Sequence, residues 1–252
     1  MSKLVYDLVS KTRELNAREG SSPSPGTCLP INLPLKNFDW TSNFAYAVGV
    51  LATDGSLSKD GRHISLTSAE KEMLRLLAKC LNLKNKLSKN PMSGYSKNQA
   101  WRIQFGNVQL YNFLLQIGLS PNKTYSLGEL KIPNEFFRDF LRGHLDGDGC
   151  IITYTDKYNT PKNPEYIYAR LMTYFMSASK VHIQWLQNYI KDSLDIQGAL
   201  LERKPKHKNH VTTWTLKFSK KESTKLLNWI YYSPSLPFLK RKYQKAKPYL
   251  YL

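Results

Sequence analysis

FRDFLRGHLDGDGCI, residues 137–151, can be laid over NFAYAVGVLATDGSL, residues 43–57, with Gly143 on Gly49, Asp148 on Asp54 and Gly149 on Gly55. Each stretch reads as a helix that ends in an acidic turn. The overlay continues downstream. YFMSASKVHIQWLQNYIKDSL (174–194) falls on SLTSAEKEMLRLLAKCLNL (65–83), which aligns Ser177 with Ser68 and Lys180 with Lys71. TWTLKFSKKESTKLLNWIYY (213–232) falls on AWRIQFGNVQLYNFLLQIGL (100–119), which aligns Trp214 with Trp101 and Phe218 with Phe105. In both later anchors a strand leads into an amphipathic helix. An internal repeat with several independent anchors decides the architecture.

Each copy reads helix, two strands, helix, two strands, helix. The fold class is therefore α+β: two pseudo-twofold-related αββαββα copies, each with a four-stranded antiparallel sheet that carries its helices on one face. The copies differ most between Asp and Ser, 14 residues apart in the first and 29 in the second. The added stretch, around YTDKYNTPKNPEYIY, carries turn signals and should lengthen the first hairpin of copy two. The expected boundaries are 39–119 for the first copy, 120–133 for a linker with Pro133 near the start of the second acidic helix, and 134–252 for the second copy. Residues 1–38 precede them: a short amphipathic helix on Leu4, Val5, Leu8 and Val9, then a Pro-, Gly- and Ser-rich extended arm that packs on the body, touches DNA or serves only as a leader.

Lys and Arg number 37 against 19 for Asp and Glu, a formal net charge of +18. Such an excess points to a polyanionic partner, because docking on phosphates releases counterions. The three cysteines, Cys28, Cys80 and Cys150, form no C-x-x-C pair and no zinc-ligand spacing, so neither a disulfide framework nor structural zinc is expected. His207 and His210 have no acidic or cysteine partner nearby and are not read as a metal site. The N-terminal stretch has no apolar run of signal-peptide or membrane-spanning length. No membrane partner is expected, and the chain should stay inside the cell, in bacterial or archaeal cytoplasm or in a mitochondrion or chloroplast.

The turns themselves read Leu141-Arg142-Gly143-His144-Leu145-Asp146-Gly147-Asp148-Gly149 and Ala47-Val48-Gly49-Val50-Leu51-Ala52-Thr53-Asp54-Gly55. Small residues along one stripe, Ala45, Gly49 and Ala52 in one helix and Gly143 and Gly147 in the other, let two backbones approach closely. Paired helices would bring Asp54 and Asp148 together at two negative dipole ends, an arrangement that calls for a cation. Hard oxygen ligands without Cys or His favour Mg²⁺, with Mn²⁺ or Ca²⁺ able to take the same place. This is a ligand set for metal-assisted phosphodiester hydrolysis. Asp146, opposite Ala52, is expected to be structural.

These two turns resemble the LAGLIDADG motif, and their duplication resembles the single-chain homing endonucleases of that type. The resemblance implies two copies joined through the paired LAGLIDADG helices. It also implies double-stranded DNA cleavage in which each Asp serves one scissile phosphate, with the carbonyls of Thr53 and Gly147 as further ligands. The products would carry 5′-phosphate and 3′-hydroxyl ends with short 3′ overhangs. Members often place a lysine at the end of the last strand of a copy, and Lys220 fits that place as a catalytic auxiliary. Ser68 and Ser177 stand where the family can carry a water-organising residue, but helix N-capping is the simpler reading. Relatives that assist intron RNA splicing, and non-cleaving DNA-binding regulators, are the alternatives on the same fold. Two unlike copies in one chain imply a monomer with a long asymmetric target.

The strands carry the residues expected to read DNA on sheet faces left free by helices: Arg62, Ser65 and Thr67; Arg102 and Gln104; Arg170 and Thr173; Thr213, Thr215 and Lys217. Lysine-rich turns should hold phosphates through Lys86, Lys89 and Lys97 and through Arg203, Lys204, Lys206 and Lys208. The aromatic and basic tail YSPSLPFLKRKYQKAKPYLYL reads either as packing on the final helix or as a nucleic-acid-binding segment.

Overall fold

The computed structural model describes residues 38–91, 99–158, 160–205 and 211–251. The expected N-terminal helix and all of the arm up to residue 37 lie outside the described residues. So do Lys97, Lys206, His207, Lys208 and His210. Among the described residues no helix is long and apolar enough to cross a membrane.

The first copy runs α1 (Ser42–Thr53), β1 (Gly55–Leu57), β2 (His63–Ser68), α2 (Lys71–Cys80), β3 (Ser88–Lys89), β4 (Trp101–Gly106) and α3 (Val108–Gln116). After a 3-10 turn over Asn134–Phe136, the second runs α4 (Phe137–Asp146), β5 (Gly149–Asp156), β6 (Tyr168–Ser177), α5 (Lys180–Leu194), β7 (Ala199–Arg203), β8 (Thr213–Phe218) and α6 (Lys220–Ile230). Both sheets are antiparallel and share one topology, β1-β2-β4-β3 and β5-β6-β8-β7. The overlay of the sequence on itself is reproduced in the pairing register, since Ser68 faces Trp101 and Ser177 faces Trp214. The aligned lysines also make the same contact, Lys71 Nζ 3.6 Å from the Trp101 ring centre and Lys180 Nζ 4.6 Å from that of Trp214. The first hairpin is longer in copy two, with β5 of 8 and β6 of 10 residues against 3 and 6 in copy one.

Thr41 caps α1, its Oγ1 accepting from Phe44 N at 3.1 Å. No charged residue occurs in α1, and Phe44 to Ala52 are all buried, as expected of a helix that is apolar all round. Its partner α4 does carry charge, and Arg142 is satisfied inside. Buried Arg142 donates to Asp139 Oδ1 at 2.7 Å and to the carbonyls of Ile230 and Pro237 at 2.8 Å each. Ser219 and Glu222 form a capping box at the start of α6. Neither Ser68 nor Ser177 caps a helix. Each ends its strand and accepts from the N–H two residues on, Glu70 and Ser179, at 3.1 Å, while the capping residue of α5 is Ser179.

The tail folds as α7 (Lys240–Ala246) followed by a 3-10 turn, Lys247–Tyr249. Apart from exposed Tyr251, its aromatics pack inward: the Tyr243 ring stacks on Phe238 at 4.1 Å and meets Tyr231 edge-on at 5.3 Å. Packing, and not presentation of aromatics to a nucleic acid, explains this composition.

Candidate functional site

Glycines set how close α1 and α4 approach. A Cβ on Gly49 would stand 2.8 Å from His144 N and overlap the Phe140 carbonyl oxygen; one on Gly143 would stand 2.9 Å from the Tyr46 carbonyl carbon and overlap its oxygen. The two helices thus touch backbone to backbone at aligned positions. One turn further on, a Cβ on Gly147 would overlap Thr53 and stand 3.0 Å from Asp54 Oδ2. Gly147 therefore does more than end α4: its missing side chain leaves room for Asp54 beside the chain leading to Asp148.

Asp54 caps the C-terminus of α1, its N–H donating to Val50 O at 3.1 Å, and Asp148 follows the last residue of α4 by two positions. Both side chains are open to solvent on one side, with dense protein beneath them. Partial desolvation, followed by repulsion from Asp148, raises Asp54 from its ordinary value to about 6. Desolvation raises Asp148 as well, against the pull of Lys123 and Lys242. Among the described residues no group of three or more His, Cys, Asp and Glu side chains gathers to hold a metal. What the two turns offer is a pair of carboxylates, solvent access and the last carbonyls of two helices, Thr53 and Gly147 among them. Such a donor set fits a hard cation that retains several waters.

Asp146 belongs to the scaffold. It is buried, and its Oδ2 accepts from Tyr46 Oη and from Leu239 N, both at 2.8 Å, so one carboxylate joins α1, α4 and the chain entering α7. Desolvation outweighs these hydrogen bonds and raises it to about 6. Asp146→Ala leaves the buried Tyr46 hydroxyl and Leu239 N–H without acceptors, and should cost on the order of 3 kcal/mol in urea unfolding.

The free faces of the sheets follow from strict alternation. Ser65 pairs with Gln104 and Thr67 with Arg102, which puts these four on one face of the first sheet, with Arg102 donating to Ser65 Oγ at 3.3 Å. Ile64, Leu66, Ile103 and Phe105 occupy the buried face. Arg62 is exposed just before β2, and Lys86 is exposed before β3. In the second sheet Arg170, Thr213, Thr215 and Lys217 share the free face with Arg203, and Lys204 follows at its end. Two expected contacts fall elsewhere. Thr173 pairs with Phe218 and Ile151, is wholly buried and belongs to the core face. Lys89 pairs with Trp101 and so shares the face opposite Arg102. Thr215 and Ser65 lie on the free faces but are buried among their neighbours, so neither is open to a base. Arg170 is tied to Asp156 at 2.8 Å.

No family model and no curated protein matches the sequence. Solved structures do match. The chain superposes on the LAGLIDADG homing endonuclease I-LtrWI bound to target DNA with a TM-score of 0.52 and 15% identity, covering 82% of this chain and 89% of that one. For the homing endonuclease I-WcaI bound to its DNA recognition sequence the values are 0.55, 11%, 82% and 88%. The chain has the LAGLIDADG homing-endonuclease fold. Full-length WhiA from Thermatoga maritima is similar at a TM-score of 0.50 and 15% identity over 85% of this chain, which spans 62% of WhiA.

Within this LAGLIDADG frame two lysines outside the aligned segments act on both aspartates. Lys242, on α7, is buried and donates to the carbonyls of Leu145, Asp146 and Gly149 at 2.7 Å each and of Gly147 at 3.3 Å. Lys123, after α3, is buried and donates to the carbonyl of Gly55. Gly55 and Gly149 are aligned, so each copy sends a lysine from beyond its third helix to the same carbonyl of its acidic turn. Both lysines pull Asp54 and Asp148 downward. Lys220 has no such place: it is exposed at the start of α6 and lines a surface pocket with Asp195, Glu222 and Tyr251. The LAGLIDADG strand end in copy two turns directly into a capped helix, which carries that lysine away from the acidic pair. No sequence signal separates Lys242 from its neighbours Lys240, Arg241 and Lys245; only extension of the overlay past the third helices would have raised Lys123 and Lys242 together.

A cavity of about 80 Å³ opens beside Asp148, lined also by Thr53, Lys123, His144 and Ser177. It is large enough for water, and Ser177 borders it from the strand end. His144 lines it and contacts His182 with Nε2 atoms 3.0 Å apart; His182 Nδ1 meets the Gly128 carbonyl at 2.8 Å. Burial depresses both rings, His182 to about 4, so the pair stays neutral. Lys123→Met should raise the pKa of Asp148, and Lys242→Met that of Asp54; carboxyl titration by NMR measures each shift.

Proposed function

We propose that this protein is a site-specific double-stranded DNA endonuclease of the homing type, in which Asp54 and Asp148 hold divalent metal, Mg²⁺ in the cell, and each serves one strand. The observation that carries this reading is the apposition of two helix C-termini through Gly49, Gly143 and Gly147. It sets two carboxylates in mutual repulsion at an open position where a cation relieves the strain. Bound there, the metal would lower the pKa of an attacking water and stabilise the leaving oxygen.

The chain's own groups do the rest. Asp54 and Asp148, with the carbonyls of Thr53 and Gly147, supply hard oxygen ligands. Lys123 and Lys242 hold the acidic turns in shape and favour the ionised carboxylates, and the same cationic charge attracts a phosphate. The cavity bordered by Lys123 and Ser177 gives water a place beside Asp148. Free sheet faces with Thr67, Arg102 and Gln104 in one copy and Lys217 in the other face the bases, and exposed Arg62, Lys86, Arg203 and Lys204 hold phosphates. The products on this reading carry 5′-phosphate and 3′-hydroxyl ends with short 3′ overhangs, and the protein acts as a monomer on a long asymmetric site.

The test is selection of cleaved sites from a random duplex library with Mg²⁺ present. Recovery of one long asymmetric sequence with fixed break positions is the expected result. Retention of duplex without breaks would instead identify a non-cleaving DNA-binding protein, and preferential retention of structured RNA would identify a splicing factor.

A further inference from the structure

We propose that the free face of the second sheet recognises thymine 5-methyl groups, so that one half of the DNA target is thymine-rich and is read by apolar contact; this rests on the DNA-binding reading above. The two free faces differ in chemistry although their topology is the same. In the first sheet the paired positions are Ser56 with Ser65, Ser65 with Gln104, and Thr67 with Arg102, all hydrogen-bonding groups. In the second sheet the corresponding face presents Ile152 opposite Met172, Cys150 opposite Tyr174, Met176 opposite Thr215, and Thr215 opposite Leu201. Tyr154 lies beside Arg170 on that face.

These apolar side chains do not serve the core. Alternation places Leu171, Phe175, Leu216 and Phe218 on the other face, wholly buried or nearly so, whereas Ile152, Tyr154 and Leu201 are exposed and Met172, Tyr174 and Met176 are half-buried. Leu200 and Trp214, one position away from Leu201 and Thr215, pack on the core, and Leu201, Met172, Tyr174 and Met176 do not. Hydrogen-bonding capacity on the face is already partly used. The Tyr174 hydroxyl donates to the Met172 sulfur at 3.0 Å, and Arg170 is bound to Asp156.

An apolar, cation-flanked sheet face fits a polyanion whose readable edge is itself apolar. Lys217 and Arg203 supply the charge complementarity, and the first sheet carries Arg102 and Gln104 on its equivalent face. In the major groove the thymine methyl is the base feature that apolar side chains read. Met and Leu have no means of satisfying a purine edge, and would leave its donors and acceptors unpaired.

The experiment needs no altered protein. Duplexes selected for binding from a random library are resynthesised with deoxyuridine in place of thymidine, one half at a time. Removing each contacted methyl should weaken binding about fourfold in one half, with little change in the other. Met172→Gln, at a half-buried position, should shift base preference within the thymine-rich half alone. Unchanged affinity after uracil substitution in both halves overturns the inference while leaving the endonuclease reading intact; failure to retain any duplex overturns both. A dimer in sedimentation that Leu201→Glu dissociates would show a second copy of the chain on this face and would also overturn it.

Discussion

Gly143→Ala is expected to cost the fold on the order of 3 kcal/mol or more, and Gly49→Ala a similar amount. In most helices alanine is the better residue by roughly 1 kcal/mol. Here the added methyl meets backbone: the Tyr46 carbonyl for Gly143, the Phe140 carbonyl for Gly49. A backbone carbonyl does not rotate away as a side chain does. The helices must separate along their length, which opens voids in a core where Phe44 to Ala52 and Phe140 to Asp146 are buried. Urea unfolding measures the loss. A gain of stability in either variant would show that α1 and α4 are not in backbone contact. Activity should fall with stability, because the same separation moves Asp54 away from Asp148.

Asp54→Asn and Asp148→Asn should each reduce DNA cleavage by at least roughly a hundredfold, the scale on which loss of one transition-state-stabilising group is felt, while leaving duplex binding near that of the parent. Stability moves the other way. The Asp54 carboxyl is raised to about 6 in the fold, so between about pH 4 and pH 6 the folded state binds more protons than the unfolded one. Its contribution to stability therefore falls as pH rises through that window, and the penalty is fully present above it. In metal-free buffer Asp54→Asn should match the parent near pH 4 and be the more stable protein above pH 6. Asp60 and Asp156, lowered by hydrogen bonds to exposed neighbours, act in the opposite sense, and comparison of parent with variant removes their contribution. Adding Mg²⁺ at pH 8 should raise the parent's melting temperature by mass action, raise it less at pH 5, where Asp54 is largely protonated, and leave a variant carrying both Asp54→Asn and Asp148→Asn unmoved. Thermal shift without DNA makes this readout independent of cleavage. Full cleavage by either variant would remove the aspartates from the mechanism.

How far the sequence could be read is clear from particular residues. The αββαββα order and the longer second hairpin were legible because hydrophobic periodicity and a duplicated pattern are local properties that survive in the string; the pairing of Ser68 with Trp101 and of Ser177 with Trp214 came from the fold. The approach of the acidic turns was legible for the same reason, since only glycine at 49 and 143 permits backbone contact. Asp146 differs from Asp148 already in the sequence, because its aligned partner is Ala52, and in the fold it is buried on Tyr46 and Leu239.

Tertiary structure alone decided the rest. Thr173 and Arg170 are both polar residues in one strand, yet one is sealed in the core and the other lies on the open face, paired with Asp156; a one-residue change of parity exchanges the faces, and the strand is exposed on both sides near its hairpin. Lys242 and Lys220 belong to equally basic segments, but α7 folds back so that Lys242 ends on the carbonyls of the acidic turn while a capping box turns Lys220 into solvent. Sequence determined the repeated architecture and the facing aspartates, because periodicity and glycine act locally. The cations beside them and the contrasting chemistry of the two sheet faces depend on long-range packing, which brings together residues about a hundred positions apart.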